Sequence, residues 1–256
     1  MCVDSNSSSP TVVHVIPEGE IVSGVTSLGD NVFVVRCPSQ QKIEVYDAKT
    51  FTLQRCITVP GLCDPSHGLA ACPRNNCLYA SEFSNDRVCR IEKSGSGAMK
   101  WSVGRHPVGL SVNSEHNLLV VSSDDESKLQ IFTTHGTLLQ TIRLQREISP
   151  RYAVQLRIVQ FLVSHWGFLH RVCLVRELDS AVVGSYGGHK GSRLTQMNAP
   201  AGLAVDSKGR VLVADQYNNR LLVLDQSLSS AHEMAVCVDR GLKGPCSLWY
   251  DQSLHR

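Results

Sequence analysis

A strong charge of either sign is missing from this 256-residue chain, in which 25 Lys and Arg face 23 Asp and Glu for a formal net +2. A balance so even gives no general pull toward nucleic acid or an anionic membrane. Aromatic residues are scarce at 6%, which points to an aliphatic and β-branched interior. The opening stretch MCVDSNSSSPT holds no apolar run of signal-peptide length, and no segment reaches membrane-spanning length. With no export signal, the default setting is reducing and cytoplasmic, without membrane contact. Helical periodicity is missing too. RYAVQLRIVQFLV (151–163) comes closest, yet its β-branched content favours strands.

Ten cysteines are present, but no CxxC pair and no Cys/His cluster with zinc-ligand spacing. Cys89, Cys173 and Cys237 fall inside apolar strand-like runs, where a thiol behaves as a small hydrophobe. Cys72 and Cys77 are five apart and can face one another across a short turn, with free core thiols the favoured reading.

What the chain does have is repetition. SHGLAACPRNNCLYASEFSNDRVCRI (66–91), PVGLSVNSEHNLLVVSSDDESKLQIF (107–132) and PAGLAVDSKGRVLVADQYNNRLLVLD (200–225) share one plan. A Gly-Leu entry leads into a short strand, a polar turn, a second strand, a polar loop and a third apolar strand. Gly68 and Gly109 are 41 residues apart, and the 93 from Gly109 to Gly202 leave room for a divergent copy. That copy is visible in QFLVSHWGFLHRVCLV (160–175), and an earlier one in NVFVVRCPSQQKIEVYDAKTFTLQRCI (31–57). Units therefore span about 20–61, 62–105, 106–149, 150–198 and 199–241, with a partial unit at 242–256. A fourth strand fits most of them. Four antiparallel strands recurring every 41 to 48 residues predict an all-β propeller, because radial stacking buries both faces of each small sheet.

Five full units and the first strand of another predict a six-bladed ring that is incomplete at its C-terminal side, short by roughly 20–30 residues. Residues 1–10 are expected to form a disordered tail, and TVVHVI (11–16) a strand able to pair onto the last blade. Unit four lacks the Gly-Leu entry, as an insertion near 153–160 would explain. A fragment, an incomplete gene model or a truncated product is the expected reason for the missing closure.

The best-formed unit resembles the NHL-repeat family through Pro200, Gly202, Leu203, Ala204, Val205, Asp206, Gly209, Val211, Val213, Asp215, Asn218, Asn219 and Arg220. Degenerate counterparts are Asp86-Arg87 in unit two, Lys128 in unit three and His170-Arg171 in unit four. The likeness covers about residues 20–256 and implies a propeller like the NHL domain of tripartite-motif proteins, which binds RNA or proteins through a basic face. Within it, Gly202 lets the backbone enter the crowded inner strand, Asp215 and Arg220 bridge a loop, and Asn218 or Asn219 takes a left-handed position. This polar set is read as a structural staple.

Related lyases and lactone hydrolases hold a metal at the channel mouth through several His, Asp or Glu side chains. His67 and His106 precede inner strands here, but the comparable places in units five and six carry Ala199, Ala201, Lys243 and Pro245. Ser66-His67 and Ser164-His165 form no triad, and GSYGGHKGS (184–192) lacks phosphate-loop spacing. No catalytic, cofactor or metal set is therefore expected. Charge is uneven in one place only: residues 150–198 carry six Lys and Arg against two Asp and Glu. There Arg151, Arg157, Trp166, Phe168, His170 and Arg171 form the candidate binding surface. The leading expectation is a non-catalytic scaffold for a protein partner. The alternatives are an RNA-binding domain of a ubiquitin-ligase-like protein, or a metal-dependent propeller lyase or hydrolase.

Overall fold

The computed structural model describes residues 2–4, 11–14, 21–37, 42–59, 62, 65–123, 127–145, 148–234 and 243–251. Five four-stranded antiparallel sheets follow one another along the chain. Blade one comprises β3 (Ile21–Leu28), β4 (Asn31–Cys37), β5 (Lys42–Asp47) and β6 (Leu53–Thr58), after a ribbon of β1 (Cys2–Asp4) and β2 (Thr11–His14). Blade two holds β7 (Pro65–Cys72), β8 (Cys77–Glu82), β9 (Arg87–Glu92) and β10 (Ala98–Ser102). Blade three holds β11 (Pro107–Val112), β12 (Leu118–Ser122), β13 (Lys128–Phe132) and β14 (Leu138–Arg143). Blade four holds β15 (Ser149–Arg157), β16 (Gln160–Trp166), β17 (Arg171–Arg176) and β18 (Val182–Gly187). Blade five holds β19 (Pro200–Val205), β20 (Val211–Asp215), β21 (Arg220–Leu224) and β22 (Ala231–Glu233).

The number of blades is five, which corrects the six-bladed expectation. Residues 243–251, expected to begin a sixth blade, join no sheet, and 252–256 lie outside the described residues. Their hydrogen bonds go to both neighbours instead. Cys246 O accepts from Gly202 N at 3.1 Å, and Ser247 Oγ accepts from Val25 N at 3.2 Å. Trp249 Nε1 donates to Ser27 Oγ at 2.7 Å, and that hydroxyl donates to Asp251 Oδ2 at 2.7 Å. This strap joins blade five to blade one, where an unclosed ring was expected. At the other end, Cys2–Asp4 lies in the stretch expected to be a disordered tail and pairs as β1 with β2. Thr11–His14, expected to pair onto the last blade, has β1 as its partner among the described residues.

The core lies between blades. Phe33, Ile43 and Val45 pack against Leu69, Leu78 and Ile91 between blades one and two. Tyr79 and Val88 meet Leu110 and Val120 between two and three. Val121, Leu129 and Ile131 meet Phe161 and Val163 between three and four, and Leu162 and Val172 meet Leu203 and Leu222 between four and five. Middle strands are therefore covered on both faces and read as apolar runs rather than alternations, as in LLVVS and RLLVL. The fourth strands β6 and β14 bury one residue of six and carry polar side chains on the outside edge.

Glycine at the inner strands answers to the next blade. A Cβ on Gly24 would meet Leu69 Cβ at 2.8 Å, one on Gly109 would meet Arg151 O at 2.7 Å, and one on Gly202 would meet Leu248 N at 2.8 Å. Blade four has Tyr152 in this place, and β15 makes sparser contact with its neighbours than β7 makes with β3 and β11. Where an insertion was expected, β15 runs unbroken and accommodates one extra residue, Leu156, as a bulge.

Candidate interaction face

β15 begins beside the end of β16, since Ser149 pairs with Trp166. The loop from the second to the third strand therefore shares one face of the propeller with the connection into each blade. On this face Trp166 is 38%, Tyr217 55% and Phe168 99% exposed. Trp166 and Tyr217 meet edge to face with centroids 6.4 Å apart. The Arg151 guanidinium lies over the Trp166 ring, 4.7 Å from its centroid.

Arg151 reaches this position because it is the extra residue of a bulge, between the pairs Pro150–His165 and Tyr152–Ser164. Burial holds its pKa below the ordinary arginine value, against the opposing pull of Cys246 and Tyr217 nearby. Arg171 pairs with His165 two strands further out, and its Nε is buried without a hydrogen-bond partner. His170, with φ of +36°, accepts a 3.0 Å hydrogen bond from Ala199 N at Nδ1. Burial and then the Lys190 cation lower its pKa, against the pull of Asp215, which favours the neutral imidazole. The ring thus ties blade four to the entry of blade five.

Arg157 is not part of this group. It pairs with Gln160 at the far end of the β15–β16 hairpin and donates to Gln226 Oε1 at 3.2 Å. Six strand steps separate Gln160 from Trp166, about 20 Å. Of the expected surface, Arg151, Trp166, Phe168, His170 and Arg171 share one face. Tyr217 joins them without having been singled out from sequence. Its only signal there was an aromatic side chain set in the polar turn QYNN.

The polar set of blade five is a clamp. Asp215 Oδ1 accepts from Asn198 N at 2.6 Å, and Oδ2 accepts from Asn218 Nδ2 and Arg220 Nε at 2.7 Å each. Arg220 donates onward to the carbonyls of Ser192, Arg193 and Gln196 at 2.7–3.0 Å. The glycine-rich connection is thereby fastened to the blade, and Asn219 takes the left-handed position with φ of +54°. Asp206 caps the adjoining turn, accepting from Arg210 Nε at 2.7 Å, and Pro200 opens β19.

His106 has φ of +54° and stacks on Phe83 at 4.6 Å, while its backbone N donates to Asp86 Oδ1 at 2.8 Å. The side chain of His67 lies outside the described residues. Ser164 Oγ donates to Ala201 O at 2.6 Å, a link between blades. Among the described residues no three His, Cys, Asp or Glu side chains gather as a metal centre would require. Cys72 and Cys77 are register partners across their hairpin, and both are buried free thiols.

The clamp coincides with a known sequence pattern. Residues 197–224 match the NHL repeat. The chain is thus a β-propeller carrying an NHL-repeat motif in blade five. No curated protein matches it in sequence at a significant level. Among solved structures, hydrazine synthase from Kuenenia stuttgartiensis is similar at 15% identity and a TM-score of 0.64, with 93% of this chain and 92% of that one covered. A catalytically inactive virginiamycin B lyase from Staphylococcus aureus with quinupristin gives 13% identity and a TM-score of 0.64, covering 96% of this chain and 81% of the lyase. A chain of a nidogen/laminin complex gives 16% identity and a TM-score of 0.71, covering 90% and 84%. Such distant likenesses speak to the fold, which enzymes and binding proteins share. No helix of the described residues is long and apolar enough to cross a membrane.

Proposed function

We propose that the chain is a non-catalytic scaffold that presents the Trp166–Phe168–Tyr217 face to a protein partner. The observation that carries this reading is the exposure of Phe168, 99% accessible at a loop tip beside two other solvent-facing aromatics and an arginine. Aromatic and arginine side chains dominate binding energy at protein interfaces. The nidogen/laminin neighbour supports the reading by analogy, as a propeller-like fold engaged in a protein complex. A cytoplasmic setting belongs to the same proposal and is supported by six described cysteines that are free thiols.

The test compares the whole chain with Phe168→Ser and Trp166→Ser variants of unchanged fold. A partner captured by the parent and confirmed as a purified protein should lose at least tenfold in affinity with either variant. If every confirmed partner binds parent and variants alike, this face is not the interface. A second reading, RNA binding of the kind seen in NHL domains of tripartite-motif proteins, is favoured by the Arg151–Trp166 stack beside Arg171. It predicts affinity that falls steeply with salt and weakens when Arg171 is neutralised. Nuclease-resistant, salt-insensitive capture sets it aside.

A further inference from the structure

Several cations that are partly or fully withdrawn from water are matched by carboxylates. Arg36 meets Glu44 at 2.8 Å, Arg90 meets Glu92 at 2.6 Å, Lys100 meets Glu82 at 2.5 Å, and Arg220 meets Asp215 at 2.7 Å. Arg151, like Arg171 on the same face, is not matched in this way. Its charged group touches the face of Trp166, and among the described residues no carboxylate reaches it. The position itself is unusual for a cation. Ser23, Val108 and Ala201 occupy the corresponding bulges of blades one, three and five, and all are buried and small or apolar.

A register comparison explains why no acid is at hand. The residue opposite the arginine is Asp215 for Arg220 in blade five and Glu82 for Arg87 in blade two. In blade four the residue opposite Arg171 is His165, a buried histidine in place of the carboxylate. Blade four therefore lacks the acid that blades two and five carry at this place, and it has a cation at its inner bulge. The result is an uncompensated positive site, recessed beside exposed aromatic side chains.

We propose that Arg151, stacked on Trp166, is the receptor for an acidic side chain, Asp or Glu, of the partner's peptide. This rests on the reading of the face as a protein interface. A guanidinium over a ring face uses none of its N–H donors on the ring carbons, and a pair of those donors matches a carboxylate with two parallel hydrogen bonds. Burial of the cation raises the value of a matching anion, because an unpaired charge in a desolvated place is costly. The low pKa direction of Arg151 is consistent with such a place. Phe168 and Tyr217 favour apolar residues flanking the acid. A peptide acid fits better than a nucleic-acid backbone, which would engage a row of cations. Here Arg157 is at the opposite end of the blade, which leaves Arg151 and Arg171 as the only arginines of the candidate set on this face.

The experiment selects binders to the whole chain from a random heptapeptide library fused at its C-terminus, so that no free terminal carboxylate is offered. The same selection is run on Arg151→Gln, with Arg157→Gln as control. Peptides chosen by the parent and by Arg157→Gln should be enriched in Asp or Glu beside an apolar residue. Each should lose at least tenfold in affinity for Arg151→Gln, and for its Glu→Gln or Asp→Asn counterpart. Peptides that need Trp166 or Phe168 but show no acidic enrichment, or bind Arg151→Gln equally, overturn the carboxylate inference and leave the protein-interface reading standing. Selection of binders indifferent to Trp166 and Phe168, or of none, removes both. Displacement by a single-stranded oligouridylate that needs Arg151, with acidic peptides inactive, assigns the cation to RNA and also overturns the proposal.

Discussion

Phe168 and Asp215 lie near the same face and bear opposite relations to the fold. Phe168 packs against almost nothing, so Phe168→Ser should alter stability by less than about 0.5 kcal/mol while weakening partner binding. Asp215 is fully buried and accepts three hydrogen bonds, one from Arg220. Asp215→Asn leaves that arginine with only the longer contact to Glu233, 3.4 Å away, and should cost about 3 kcal/mol, read as a lower urea midpoint. The Asp215–Arg220 bridge was legible in the sequence, because a repeat motif brings residues five apart to facing positions of one hairpin. Arg157 was grouped with Trp166 because closeness in sequence hides strand direction. A hairpin returns to its own start, so residues near its turn lie far from residues near its open end. Tyr217 was not legible, since only the edge-to-face contact between blades brings it to Trp166.

Among the elements, the inner strands were the easiest to place and the hardest to count. Their Gly-Leu entries mark where one strand closely approaches the next blade, and the close contacts of Gly109 and Gly202 give the physical cause. Gly202→Val should cost about 1–3 kcal/mol through collision with Ser247 and Leu248, measurable by thermal unfolding. The same logic misled at GPCSLWYDQSLHR, whose strand-like start suggested another blade. A strand exists only where a neighbour pairs with its backbone, and among the described residues 243–251 has one backbone-to-backbone bond, to Gly202, while its other bonds involve side chains. Tyr152 was equally opaque. Its bulk in a glycine place shows in sequence as a missing motif, and only packing identifies the looser seam around β15.

At the scale of the whole molecule, both faces of every middle strand are covered, and thiols are among the covering groups. Cys89 and Cys173 are buried in blades two and four, and desolvation raises each pKa to about 11. The fold keeps these protons more tightly than the unfolded chain does, so between about pH 9 and pH 11 the unfolded state binds fewer. The contribution of these two thiols to stability should therefore be level below that window and fall as pH rises through it. Denaturation across pH 8–11 checks this, and Cys89→Ala with Cys173→Ala should flatten the slope.

The strap of residues 243–251 also has a consequence in time. Each blade is assembled from strands adjacent in sequence, whereas the bonds from Ser247 to Val25 and from Trp249 to Ser27 span 222 residues. Contacts so distant along the chain carry a large entropy of closure and tend to form late. Blade formation should precede the joining of the two ends, with Ser27 and Trp249 unengaged at the rate-limiting step. Ser27→Ala is then expected to accelerate unfolding and leave the refolding rate nearly unchanged in stopped-flow measurements. A slower refolding phase would mean that the ends meet before the blades are complete.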